Sequence, residues 1–285
     1  MLMSTKLPLS GVASHEYRVP AWSGTVEDLE KLCNQLTPIV EKAKEAEITQ
    51  ANSTRSQLIT RDVLEKYRET DEIIGDWEDK YEIKSLARKL GNYDLRIRAT
   101  TKDGRSYEGP LSYILEYAEI PKIRELHIDT GASYGDTGGS LTIRLSRSYS
   151  GTVSVRSAHR DWLLYATNES MRIIQQNRPW YAWFKAHPVM AYMTVVLPSL
   201  IISSLAVRVS MDTESPAGIY ASVTLYALVV CLGSFFVNFA VPHFELSVSA
   251  EKLYSKKIKK VGGATLALIV SAIALPIILS QMGVA

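Results

Sequence analysis

The spacing of apolar residues changes twice along this chain, and each change marks a different kind of structure. Val26, Leu29, Leu32, Cys33, Leu36, Ile39 and Val40 recur every three or four positions, the stripe of one helix face. Thr25, with Asp28 three residues later, forms an approximate capping box at the helix start, and Pro38 is a point for a kink. From Lys42 to about Leu90 charges of alternating sign surround Leu58, Ile59, Val63, Leu64, Tyr67, Ile73, Ile74 and Trp77 at looser helical spacing. One or two long helices, broken near Ala51-Asn52-Ser53-Thr54, are expected there, with the charges on solvated faces.

After Gly91-Asn92 the period shortens to two. Tyr93, Leu95, Ile97 and Ala99 alternate with Asp94, Arg96, Arg98 and Thr100, the signature of a half-buried strand. Asp103-Gly104 predicts a hairpin turn, with Tyr107 on the return strand. Leu111 to Ala118 suits a short helix. Ile123–Asp129, Leu141–Leu145 and Val153–Val155 read as further strands, and His159 to Asn177 as a closing helix. The N-terminal residues look like an unpaired tail, apart from a short strand at His15–Val19 stopped by Pro20. The expected fold is an α+β domain: long N-terminal helices, then a mainly antiparallel sheet of four or five strands with helices over one face.

The second change comes near residue 186. Three stretches, 186–207, 217–241 and 261–285, contain no Asp, Glu, Lys or Arg. A hydrocarbon core about 30 Å thick needs roughly 20 apolar helical residues, so a three-helix transmembrane region is expected over 189–285, with spans near 189–207, 217–241 and 262–283. Arg172, Arg178 and Lys185 precede the first span, and Lys252, Lys256, Lys257, Lys259 and Lys260 lie between the second and third. The connection between the first two spans has Arg208 alone, against Asp212 and Glu214. This bias predicts a multi-pass protein of the plasma (inner) membrane, its N-terminus cytoplasmic and its C-terminus extracytoplasmic. Trp180 and Trp183, with Tyr181 and Phe184, sit where aromatic rings settle among lipid headgroups, and the five lysines suit anionic headgroups. The divisions are then a tail and short strand (1–24), a helical segment (25–90), the sheet with its closing helix (91–178), a juxtamembrane connector (179–188) and the membrane region (189–285).

Composition adds exclusions. The net charge of +2 over 285 residues gives no general argument for nucleic acid. The Met1–Ser10 segment lacks a long apolar run, so it does not read as a secretory signal. Cys33 and Cys231 fall in regions that should not meet, and no disulfide is expected. His15, His127, His159, His187 and His243 show no metal-ligand spacing, so neither metal nor cofactor is expected. His159-Arg160-Asp161 has the order of a protein-kinase catalytic loop, but Ala166 stands where Asn is required and no Asp-Phe-Gly follows. It is better read as a helix start, with Asp161 near the positive end. The glycines from Gly131 to Gly139 could cradle an anion, but no Gly-Lys-Ser/Thr follows them, and a strand comes where a helix should. No nucleophile sits in a Gly-x-Ser-x-Gly setting, so a catalytic set is not legible.

Two polar or small-residue patterns remain. Strand alternation sends Arg96, Arg98, Arg144 and Arg156 to the outer side of the sheet, interspersed with Thr142, Ser146, Thr152 and Ser154, provided the strands are neighbours. Such a face suits a phosphate, a nucleotide or an acidic partner; a solvated face with interspersed acids such as Asp94 is the alternative. Gly263, Ala267 and Ser271, each four apart, form a column that permits close helix contact in lipid. With no Asp, Glu, Lys or Arg at depth, the spans suit an anchor rather than a solute carrier.

The expected function is a non-enzymatic, membrane-anchored cytoplasmic sensor or effector that forms a homo-oligomer through its spans. Its partners would be the bilayer and a cytoplasmic protein or nucleotide. In layout, a compact cytosolic module fused to a few plain spans, the chain resembles membrane effectors of bacterial anti-phage defence. That resemblance implies permeabilisation of the membrane on triggering. The alternatives are a membrane-tethered enzyme acting on a nucleotide or nucleic acid, or an accessory subunit of a larger membrane complex.

Overall fold

The structure, a computed structural model, describes residues 4–6, 12–53, 58–69, 80–91, 93–130, 139–187 and 242–250. Strands β1 (Ser4–Lys6), β2 (Ala13–Val19) and β3 (Trp22–Thr25) lead into helix α1 (Val26–Asn52). Thr25 caps α1: its hydroxyl accepts from the Asp28 N–H, and the Asp28 carboxylate accepts from the Thr25 N–H. This is the reciprocal arrangement expected from the sequence. Pro38 is accommodated within α1. Helices α2 (Arg61–Glu69) and α3 (Lys80–Gly91) follow and pack together. The break after α1 falls where Asn52 turns back to bond both the N–H and the carbonyl of Ile59.

Strands β4 (Arg96–Thr101) and β5 (Ser106–Gly109) form the expected hairpin, with Gly104 at φ +81° in its turn, a conformation that glycine adopts without steric cost. Helix α4 (Leu111–Tyr117), strands β6 (Ile123–Asp129), β7 (Ser140–Ser146) and β8 (Gly151–Ser157), helix α5 (Arg160–Gln176) and the short α6 (Ala182–Ala186) complete the contiguous part. His159 is the N-cap of α5, and Asp161 lies in its first turn.

The sheet is larger than the four or five strands expected. Seven strands run in the order β1-β2-β8-β7-β6-β4-β5, every pairing antiparallel. The expected short strand at His15–Val19 starts at Ala13 and, as β2, pairs along its whole length with β8, while β1, in the segment expected to be an unpaired tail, adds at the edge. One face is packed against helices. Ile97, Ala99, Leu126, Ile128, Leu141, Ile143, Val153 and Val155 point inward and join Leu29, Leu32, Leu36 and Ile39 of α1 and Leu163 and Ile174 of α5 in one core. Trp162 anchors the two helices to each other by donating its indole N–H to the Ile39 carbonyl at 3.0 Å.

A second, unexpected pairing joins distant parts of the chain. Strand β9 (Phe244–Ser247) runs parallel to β3. The Phe244 ring stacks on Trp22 with centroids 5.7 Å apart, and both side chains are at most 1% exposed. The Trp22 N–H donates to the His243 carbonyl at 2.8 Å, and a His243 ring nitrogen lies 2.7 Å from the Pro20 carbonyl.

The stretches expected to span a membrane, together with Gly263, Ala267, Ser271 and Lys252 to Lys260, lie outside the described residues. Among the described residues no helix is long and apolar enough to cross a membrane.

Truncating Phe244→Ala removes most of this stack and should cost about 3 kcal/mol of stability. Chemical denaturation of the full-length chain measures that loss, and protease cleavage near residue 248 should become faster. Gly151→Ala should also destabilise, by roughly 1–3 kcal/mol. A Cβ there would stand 2.7 Å from the Arg144 carbonyl oxygen, a backbone atom that cannot swing aside.

Candidate functional site

The uncovered sheet face follows from the register. One row across the strands reads Glu108, Arg98, His127, Arg144, Thr152 and Arg18. The next reads Arg96, Asp129, Thr142, Ser154 and Glu16. Arg156 lies further along, between Ser140 and Ser14. All four arginines named from the sequence are exposed on this face, but their surroundings differ.

Arg98 is already engaged: its Nε and Nη2 donate to a Glu108 oxygen at 2.9 and 2.6 Å. Both side chains are about half exposed, so the pair contributes little to stability. Arg96 faces Asp129 across the ladder. Among the described residues Arg144 and Arg156 have no ion pair, and neither has Arg18. The face therefore mixes acids with bases, and among the described residues only Arg98 of its arginines is held in an ion pair.

His127 sits between Arg98 and Arg144. Burial, reinforced by Arg144 and then Arg98, holds its imidazole below the ordinary value, against the opposing pull of Asp129 and Glu108. A neutral imidazole in that position spares the face a further positive charge. Alternation with the buried Leu126 and Ile128 puts His127 on the outer face, but nothing in the sequence groups it with the arginines. Arg18 was missed altogether, because nothing local indicates that β2 borders β8.

A second polar cluster ties helices to sheet. Glu47 of α1 is 5% exposed. Its carboxylate accepts from Lys89 Nζ of α3 at 3.0 Å and from the Tyr93 hydroxyl at 3.2 Å, and His159 Nε2 lies 3.8 Å away. Three partners around one carboxylate satisfy a group that would otherwise be costly to bury. The alternating charges of this region conceal it, since Glu47 looks like its solvated neighbours. Between α1, α2 and α3 is a cleft of about 190 Å³ lined by Glu41, Lys44, Ile48, Arg61 and Leu64, below the roughly 300–1,000 Å³ of small-molecule sites. The Cys33 thiol is pushed up to about 12, first by burial and then by Glu30, so it is no ready nucleophile.

The aromatics that follow α5 divide. Tyr181 and Ala182 are buried against Ala21, whereas Trp180 and Trp183 are 49% and 41% exposed. Comparison of the chain with protein-family models, curated proteins and solved structures finds no match.

Burial also lowers His243, aided by Lys185 and opposed by the Pro20 carbonyl. For both histidines the unfolded chain takes up protons at a higher pH than the folded one. Their contribution to stability is complete above about pH 6.5 and declines as pH falls below it. Thermal melts should show Tm falling from about pH 7 towards pH 5, and His127→Gln should flatten that slope. Glu47→Gln, which keeps the shape but removes the charge facing Lys89, should cost about 1–3 kcal/mol in the same melts at neutral pH.

Proposed function

We propose that this chain is a membrane-anchored cytoplasmic sensor or effector. In this reading the apolar C-terminal third inserts in the bilayer and oligomerises, while the open sheet face binds an anionic ligand or acidic partner. Binding then perturbs the membrane through the attached helices, as in the defence effectors that share this layout.

The observation that carries the reading is the placement of residues 242–250. They lie between two uncharged stretches, yet they are woven into the domain as β9 beside β3. The described chain stops at His187 after α6 and resumes at Pro242. These two points adjoin: Ala182 packs on Ala21, His243 contacts Pro20, and Lys185 is near enough to His243 to lower its pKa. Whatever path residues 188–241 follow, they leave and return at one place. If they enter a bilayer, they cross it an even number of times, and two uncharged stretches are available for two crossings. The basic residues on either side of that hairpin then share one compartment, in keeping with the positive-inside bias. A single further crossing over 261–285 would put Ala285 on the opposite side. The lack of Asp, Glu, Lys and Arg in these stretches favours an anchor or oligomerising element over a carrier.

A ligand can drive such a device only by binding one assembly state better than the other. Replacing Arg144 and Arg156 with Glu should abolish triggered dye entry into cells while leaving Tm within about 1 kcal/mol equivalent of the parent, as expected for exposed positions. A protease-sensitive tag after Ala285 should be cleaved on intact cells and one before Met1 only after permeabilisation. Two tags that behave alike would defeat the three-crossing topology.

A further inference from the structure

We infer that the end of the domain from which residues 188–241 depart is a docking surface for an anionic lipid bilayer, with Arg124, Arg147, Arg178 and Lys102 around the exposed rings of Trp180 and Trp183. The inference rests on the membrane reading and extends it: the folded domain itself lies against the headgroups, in addition to being tethered to the membrane.

Backbone hydrogen bonds draw these residues to one end of the fold. The Lys102 N–H donates to the Lys122 carbonyl at 2.9 Å, and the Arg147 N–H to Arg124 at 2.8 Å. From Arg147 the connection continues to β9 and β3: the His243 N–H donates to the Arg147 carbonyl at 3.2 Å and the Trp22 N–H to His243. The Ser23 N–H then donates to the Asn177 carbonyl at 3.0 Å, which brings in the C-terminal end of α5 and, beside it, Arg178 and Trp180. The end of the sheet, the start of the small parallel pair and the departure point of the chain are therefore one contiguous rim.

The rim is net positive because its cations outnumber its acids: Asp103 and Glu119 are ion-paired, while Glu125 and Glu245 keep their charge against Lys102, Arg124, Arg147 and Arg178. Glu125 accepts from Ser146 and Tyr149, and Glu245 accepts from Ser23. Asp103 is paired with Arg105, and Glu119 with Lys122. Lys102, Arg124, Arg147 and Arg178 are exposed and have no ion pair among the described residues. Cations surrounding exposed indoles suit an anionic membrane surface, where the cations meet phosphate-bearing headgroups and the rings settle at the polar–apolar boundary. The occupant is a bilayer rather than a soluble acidic partner because the rim surrounds the points where an uncharged chain segment leaves and re-enters the fold. Two 20-residue-scale apolar stretches starting there hold any lipid phase within reach of the four cations.

The full-length chain reconstituted in nanodiscs tests this through hydrogen exchange at residues 122–126 and 145–149. Exchange should be slower in discs containing phosphatidylglycerol than in phosphatidylcholine alone, and high salt should remove the difference. Combined Arg124→Glu, Arg147→Glu and Arg178→Glu changes should abolish the lipid dependence, whereas the three Arg→Lys changes should keep it. Unaltered exchange in β8 would show that the reversed variant is folded. Equal exchange in both lipids, or lipid-dependent protection that survives charge reversal, overturns the docking surface while leaving membrane anchoring intact. Equal protection by dissolved glycerol phosphate would replace the bilayer with a small anion and likewise overturn it. A chain that enters neither type of disc removes the membrane reading and this inference together.

Discussion

The pairing of β3 with β9 is the constraint on which the arrangement depends. It joins Trp22 to Phe244, closing a loop of more than two hundred residues at a chain-entropy cost on the order of 5 kcal/mol. Burying a Trp and a Phe ring contributes roughly 3–5 kcal/mol each, so the stack alone offsets the closure. The hydrogen bonds from Trp22 to His243 and from His243 to Arg147 then fix the returning segment against both the small pair and the end of the large sheet. Without that closure the domain would be a sheet with a trailing C-terminal third. With it, the apolar segment is held at both ends by the same folded body.

The large sheet plays a different part. Its inner face is satisfied by α1 and α5, which leaves the outer face free to carry polar rows set only by register. Glutamates and aspartates interleave with arginines there, so the face is a patterned surface rather than a uniformly basic one. Arg98 is held by Glu108, while Arg144, with the neutralised His127 on one side and Thr152 on the other, keeps its full charge available. Position within the row, more than the number of arginines, decides which of them keep an unpaired charge.

What the chain discloses before folding follows from how local each signal is. The cap at Thr25, the turn at Gly104 and the alternation of β4, β6 and β7 are written in residues that touch one another in sequence, and all can be read directly. Strand β1 is three residues of Ser-Thr-Lys, too short to stand out. Strand β9 does alternate, Phe244, Leu246 and Val248 with Glu245, Ser247 and Ser249, but it lies in the stretch read as a connection between spans, and nothing local names β3 as its partner. The arginine face was legible up to the same boundary: alternation gives the side on which a residue lies, but not that Glu108 will neutralise Arg98 or that Arg18 will join the row from β2. Glu47 shows the converse failure. Its neighbours are helix-surface charges, and only the meeting of α1, α3 and α5 turns it inward.

Helix α5 links these two halves of the molecule. Its 17 residues make a rod about 25 Å long. One end, at His159, abuts the Glu47 junction. The other runs through Asn177 and Pro179 directly into α6 and the exposed tryptophans. A tilt of about 5° pivoted at the first end would carry the second by roughly 2 Å. The direction of this one helix therefore fixes where the tryptophans stand relative to the Glu47 junction.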